Sequence, residues 1–95
     1  MPIEIDVRVH KVRSENKALR AYVNLTIGGE YAVHGIKVME NEKGLWVAMP
    51  RQKDALGTYR DIFHPITKEA RNRLIETILR IYRADIDNEE SRGYR

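Results

Sequence analysis

The chain has 95 residues, no cysteine and a formal net charge of +3. That excludes a disulfide framework and a thiolate metal site, and so short a chain buries only about 60–65% of its unfolded surface, in one small core. No apolar stretch near the N-terminus reaches the length of a signal peptide or membrane span, because Glu4 and Asp6 interrupt it; the expectation is a soluble cytoplasmic protein with no membrane role.

Ile3, Ile5, Val7 and Val9 alternate with Glu4, Asp6, Arg8 and His10. Period two predicts a half-buried strand. Ser14 to Lys17 is polar turn material. Leu19, Ala21, Val23, Leu25 and Ile27 then alternate with Arg20, Tyr22, Asn24 and Thr26, the clearest strand pattern in the chain. Gly28-Gly29 follows, and both can adopt positive φ, so a two-residue hairpin turn is predicted, not a phosphate-binding loop. The return strand carries Tyr31 and Val33 on one parity and, after Gly35, Ile36 and Val38 on the other. A parity switch at a glycine predicts a β-bulge, in which one extra residue re-aims all that follow.

Asn41 to Gly44 reads as a turn. Leu45 to Met49 is apolar on both parities and ends at Pro50, so both faces of that strand should be covered. A charged, glycine-containing loop from Arg51 past Gly57 then leads to a short ordered stretch, Tyr59 to Phe63. Thr67 is placed to cap a helix, with Glu69 in its first turn where the macrodipole favours a carboxylate. Ala70, Leu74, Ile75, Ile78, Leu79, Ile81 and Tyr82 form an apolar arc of roughly 180°, wider than the usual stripe. Glu69–Arg73 and Glu76–Arg80 are spaced for i,i+4 ion pairs on the other face. The helix should fray near Ala84, leaving residues 84–95 as a disordered acidic tail after a single domain over 1–83.

The fold class expected is therefore α+β: an antiparallel sheet with a bulge, followed by one C-terminal helix packed on it. The broad helical arc and the two-sided apolar strand leave apolar surface that one subunit cannot cover, and large exposed patches mark interfaces. A homodimer is predicted, with each helix free to pack partly on, or exchange onto, the partner's sheet.

Residues 50–83 hold eight Lys/Arg against four Asp/Glu, whereas residues 84–95 hold two against four. A basic excess confined to one region points to a polyanion. Arg51 and Lys53 stand in the loop with Asp54 as the nearby counter-charge, and they can lie along a phosphate backbone or simply solubilise the loop. Arg73, Arg80 and Arg83 read first as a solvated, salt-bridged helix face. Trp46, Tyr31 and Tyr82 read as core. Tyr22, on a polar parity beside Arg20 and Asn24, reads either as an ordinary cross-strand contact or as a base-stacking ring. His10, His34 and His64 lack metal-ligand spacing, so no metal and no cofactor are expected. Asp61 and His64 could pair as catalytic groups, but no nucleophile has a signature around it, so a structural role is expected for both and no enzyme is predicted.

The segments DVRVHKV, VHGIKV, GLWVAMP and YRDIFHPI, in this order, resemble the bacterial SpoVG family over residues 3 to 83. The resemblance implies a small dimeric α+β protein without enzymatic activity, a regulator that binds DNA and also RNA and influences cell division, septation, sporulation and gene expression. In the family the Met-Pro turn is followed by Ser-Lys-Arg, implicated in nucleic-acid contact; here the positions are Arg51, Gln52 and Lys53, with the first cation shifted by one residue. The family's basic residues near the helix end correspond to Arg80 and Arg83. The nucleic-acid contacts expected are thus Arg51, Gln52, Lys53, Arg60, Arg80 and Arg83, with no small-molecule substrate. The alternative is a protein-interaction module of the division machinery without direct nucleic-acid contact.

Overall fold

The computed structural model describes residues 3–12 and 18–92, the last eight of them as backbone alone. Among the described residues six strands precede one helix: β1 (Ile5–Lys11), β2 (Leu19–Ile27), β3 (Tyr31–Asn41), β4 (Gly44–Ala48), β5 (Arg51–Lys53), β6 (Tyr59–Asp61) and α1 (Lys68–Arg92). The first four form an antiparallel sheet in the order β1-β2-β3-β4, and β5 and β6 form a separate ribbon. The α+β class and its antiparallel sheet are as the periodicities require. The turn expected over Ser14 to Lys17 lies outside the described residues.

The core follows the strict parity of β2. Ala21, Val23 and Leu25 are fully buried, and they meet Ile36 and Val38 of β3 and Val7 of β1. From α1 come Leu74, Ile78 and Tyr82, one i,i+4 line, flanked by the half-buried Ile75, Leu79 and Ile81. Burying each of these large side chains contributes about 1.5–3 kcal/mol. The helix begins as its sequence requires: Thr67 Oγ1 accepts from the Ala70 amide at 3.0 Å, and the Thr67 carbonyl accepts from the Arg71 amide at 3.0 Å. The side chains beyond Ala84, and with them the acidic segment, lie outside the described ones, while the helical backbone continues to Arg92.

The bulge falls at Gly35. Leu25 pairs with Val33 but Val23 pairs with Ile36, so β3 spends one extra residue at His34–Gly35. Gly35 takes φ +95°, a conformation that side-chain-bearing residues rarely adopt. A second irregularity was not foreseen. Ala21 pairs with Val38 while Leu19 pairs with Met39, so β2 carries an extra residue at Arg20. No glycine marks it, and Arg20 is instead tied across the gap to Glu40, Nε to Oε1 at 2.7 Å.

Several expectations are corrected. At the β2–β3 hairpin, Gly28 and Gly29 take φ +61° and +72° and Glu30 N–H donates to the Ile27 carbonyl at 3.1 Å. The first paired residues are nevertheless Ile27 and Tyr31, so the connection is one residue longer than predicted. The strand at Leu45–Met49 is not covered on both faces. It is the sheet's edge strand, and one helix can cover only one side, so Leu45 and Val47 pack toward the core while Trp46 stays 44% exposed. Tyr31, next to the hairpin, is 70% exposed, so of the three aromatics expected in the core only Tyr82 is there. Among the described residues neither Glu69–Arg73 nor Glu76–Arg80 closes to ion-pair distance, which matches the small gain such solvated helix pairs give. Finally, the charged loop after Pro50 is itself structured, as the β5–β6 ribbon.

Candidate functional site

The ribbon starts where Pro50 ends the sheet. The Pro50 carbonyl accepts from the Ile62 amide at 2.9 Å, which sets the register Arg51↔Asp61, Gln52↔Arg60 and Lys53↔Tyr59. Because side chains alternate along a strand, Arg51, Lys53, Tyr59 and Asp61 share one ribbon face and Gln52 and Arg60 the other. Every one of these six residues is exposed.

The tip is organised by Asp54. Its carboxylate Oδ1 accepts from the amides of Leu56 at 2.9 Å and Thr58 at 3.0 Å, and its Oδ2 accepts from Arg60 Nε at 2.7 Å. The Asp54 carbonyl accepts from the Gly57 amide, and the Asp54 amide donates to the Thr58 carbonyl. The Arg60 guanidinium above all, with the Thr58 amide next, holds the Asp54 carboxyl below its ordinary value of 3.8; desolvation opposes this, and the amides of Leu56 and Gly57 lower it by less. Asp54 is thus the clasp of the ribbon as well as a counter-charge.

The cations are not equally available. Arg51 Nε lies 3.2 Å from Asp61 Oδ1, with the arginine side chain 58% exposed. Arg60 is engaged with Asp54 while 71% exposed. Lys53 Nζ stands 5.6 Å from the centre of the Tyr59 ring. Exposed ion pairs of this kind are worth about 0–1 kcal/mol. A phosphate can therefore compete with either carboxylate at little cost, and the geometry keeps both arginines displayed rather than buried.

The structure also brings in residues that the sequence did not single out. A depression of about 500 Å³ lies between the bulge and the ribbon base, lined among others by His34, Lys37, Arg51 and Tyr59. A shallower one of about 250 Å³ at the β4 edge joins Trp46, Arg51 and Asp61 to Arg71 of α1. Arg71 is half-buried and donates to the Pro65 carbonyl at 3.3 Å. Lys37 reads in the sequence as an ordinary polar position, and only the register of three strands shows it beside the ribbon base. Arg80 and Arg83 are exposed but not joined to this group: along the helix they lie about 14 and 18 Å beyond Arg71 at 1.5 Å per residue.

Asp61 and His64 do not face each other as a catalytic pair. Asp61 turns to Arg51, and His64 Nδ1–H donates to the Pro65 carbonyl at 3.0 Å. His10 and His34 lie on the helix-free side of the sheet. Among the described residues, no cluster of three or more His, Asp or Glu side chains is arranged to hold a metal ion, and no helix is long and apolar enough to cross a membrane.

The family model SpoVG matches residues 1–84. This chain belongs to the SpoVG family. It is 51% identical over 77 residues to a protein of Lachnospira eligens named "Putative septation protein SpoVG", covering 81% of this chain and 86% of that one. It is 47% identical over 83 residues to the protein of the same name from Agathobacter rectalis, covering 87% and 94%. The archaeal relative from Archaeoglobus fulgidus is 39% identical over 77 residues, covering 81% and 89%. The SpoVG match takes in the whole sheet, the ribbon and the core-facing part of α1. It stops at residue 84, just before the acidic segment that begins with Asp85.

Proposed function

We propose that this SpoVG-family chain is a homodimeric nucleic-acid-binding regulator that acts in cell division and septation, a role for which the names of its relatives speak. The observation that carries it is the set of cations displayed on the ribbon and beside its base. Among the described residues, the carboxylates at ion-pair distance from Lys37, Arg51, Lys53, Arg60 and Arg71 are Asp54 and Asp61, and four of the five cations are exposed. Such a group neutralises backbone phosphates and releases their counterions. Gln52 is free to reach a base edge or sugar from the far face of the ribbon. Arg80 and Arg83 add charge only for a polymer long enough to follow the helix. The regulator needs no cofactor and no small-molecule substrate, and its place is the cytoplasm.

The second copy finds its seat on a different surface. Ile3 and Ile5, 71% and 40% exposed, line a mostly apolar groove of about 480 Å³ with Val7, Ala70 and Leu74 along the outer edge of β1, with Arg73 and Thr77 at its helix side. A two-fold contact there covers that groove and doubles the ribbons, giving a bivalent site.

The test is the salt dependence of binding to duplex DNA. Arg51→Ala with Lys53→Ala is expected to reduce the slope of log K against log salt by about 2, at roughly 0.9 per phosphate contact. An unchanged slope would remove the ribbon from the interface. Leu56 and Ile66, 89% and 88% exposed near the ribbon, favour a protein partner as the second reading. Binding to that partner would respond little to salt.

A further inference from the structure

The helix-free face of the sheet sets two exposed aromatic rings on either side of Lys37, an arrangement that folding does not require. Cross-strand partners share a face, and the register sets Tyr22 opposite Lys37 and Lys37 opposite Ala48, with Trp46 two residues along β4 opposite Met39. Tyr22 and Trp46 are 42% and 44% exposed, and Lys37 stands exposed between them. With strands about 4.8 Å apart and a rise of about 3.4 Å per residue, the Cα atoms of Tyr22 and Trp46 are about 12 Å apart across the sheet. Among the described residues Lys37 has no carboxylate within ion-pair distance. Beside Tyr22 on the same face, Asn24 Oδ1 accepts from His34 Nδ1–H at 2.8 Å, and the His34 side chain is exposed.

We propose that this face is a stacking platform for single-stranded RNA. The proposal rests on the nucleic-acid reading above and names the form of nucleic acid that the site takes. Tyr22 and Trp46 each present a ring face to one unpaired base, and the intervening Lys37 meets the linking phosphate. The strand then continues over the ribbon base toward Arg51. An antiparallel sheet with exposed rings on its open face suits bases splayed out of a helix, because a duplex hides its base faces. Charge complementarity selects a polyanion over an apolar partner: the cation sits at the centre of the patch, where a protein interface would desolvate it without compensation. His34 and Asn24 supply polar groups for a ribose 2′-hydroxyl, which DNA lacks.

Trp46 is the chain's one tryptophan, so its emission reports on this face directly. The probes are a short labelled oligouridylate, the same sequence as deoxy-oligonucleotide, and an RNA duplex of equal length. Binding is read by anisotropy of the label and, separately, by Trp46 fluorescence. The expected result is saturable quenching of Trp46 over the concentrations at which the anisotropy rises. Tyr22→Leu, which keeps an apolar side chain but removes the ring, should weaken binding roughly 5- to 100-fold. Lys37→Gln should lower the salt slope by about 0.7. The ribo-oligonucleotide should bind roughly 2- to 10-fold tighter than its deoxy counterpart, the worth of one hydrogen bond. Both variants alter exposed positions, and circular dichroism confirms that they fold. Binding with unchanged Trp46 emission and no effect of Tyr22→Leu would overturn the platform while leaving the nucleic-acid reading intact. So would a preference for the duplex, or equal affinity for the deoxy strand. Trp46 quenching on raising protein concentration alone would mean that a second copy covers the face, and would overturn the proposal. Failure of every oligonucleotide and duplex DNA to bind would remove the nucleic-acid reading itself.

Discussion

Replacing Gly35 by alanine tests how tightly the β3 bulge is specified. Gly35 takes φ +95°, and a Cβ added there would meet Pro50 Cβ at 3.3 Å. A left-handed conformation costs an L-residue about 1–2 kcal/mol. The close approach to Pro50 adds on the order of 1 kcal/mol, the low end of overpacking costs, because Pro50 is buried and its ring is rigid. Alanine also restricts the unfolded chain, which returns about 0.4–1 kcal/mol. The net expectation is a loss of about 2 kcal/mol. Gly28→Ala is the internal control: φ is +61°, but nothing lies within 4 Å of the new Cβ, so only the backbone cost applies and the net loss is about 1 kcal/mol. Urea denaturation followed by circular dichroism measures both. With a slope of about 1 kcal/mol per molar for so small a domain, the midpoints fall by about 2 M and 1 M. If Gly35→Ala is no worse than Gly28→Ala, the Pro50 contact does not constrain the bulge.

Ile78 is fully buried against the sheet, so Ile78→Ala should cost about 2–5 kcal/mol in the same assay; a loss below about 1 kcal/mol would mean that the helix is not docked as described. Thr67→Ala removes the oxygen that accepts from the Ala70 amide and should cost about 1 kcal/mol, with Thr67→Ser restoring most of it. Asp54 titrates below its ordinary 3.8 in the fold, so its contribution is complete above the unfolded value and is lost as pH falls through the lower folded value. The amide resonances of Leu56 and Thr58 should therefore move at acid pH in the wild type and stay put in Asp54→Asn; equal movement in both would assign the clasp to another group.

The four-stranded sheet was legible because one face of it is buried. Strict alternation in Ile5–Lys11 and Leu19–Ile27 reports a single covered side, and the parity break at Gly35 reports the bulge. The Arg20 irregularity left no such trace, because neither a glycine nor a break in the Leu19–Ile27 alternation accompanies it. Trp46 and Tyr31 were misjudged for one reason. Hydrophobicity says that a side chain gains by burial, but not whether a layer exists to bury it, and with a single helix the second face has none. At the site, the positions of the cations were legible and their partners were not. Arg51 meets Asp61 across ten residues and Arg60 meets Asp54 across six, through a register that the Pro50–Ile62 hydrogen bond sets. Lys37 and Arg71 lie on other elements altogether, and only tertiary packing brings them to the ribbon.

The bulge ties core and surface to one residue. Before it, Val33 lies on the core-facing parity of β3. Continued without a break, that parity would bring Gly35, Lys37 and Met39 against the helix and turn Ile36 and Val38 outward. The extra residue reverses this, so Ile36 and Val38 are fully buried and Lys37 emerges between Tyr22 and Ala48 on the open face. A register slip would place a lysine in the core and strip the open face of its cation in the same step. Selection for a stable core and selection for a cationic face therefore act on the same backbone geometry at Gly35. Gly35→Ala should accordingly weaken polyanion binding along with stability, whereas Gly28→Ala, which leaves the β3 parity alone, should lower stability and leave binding unchanged in the folded fraction.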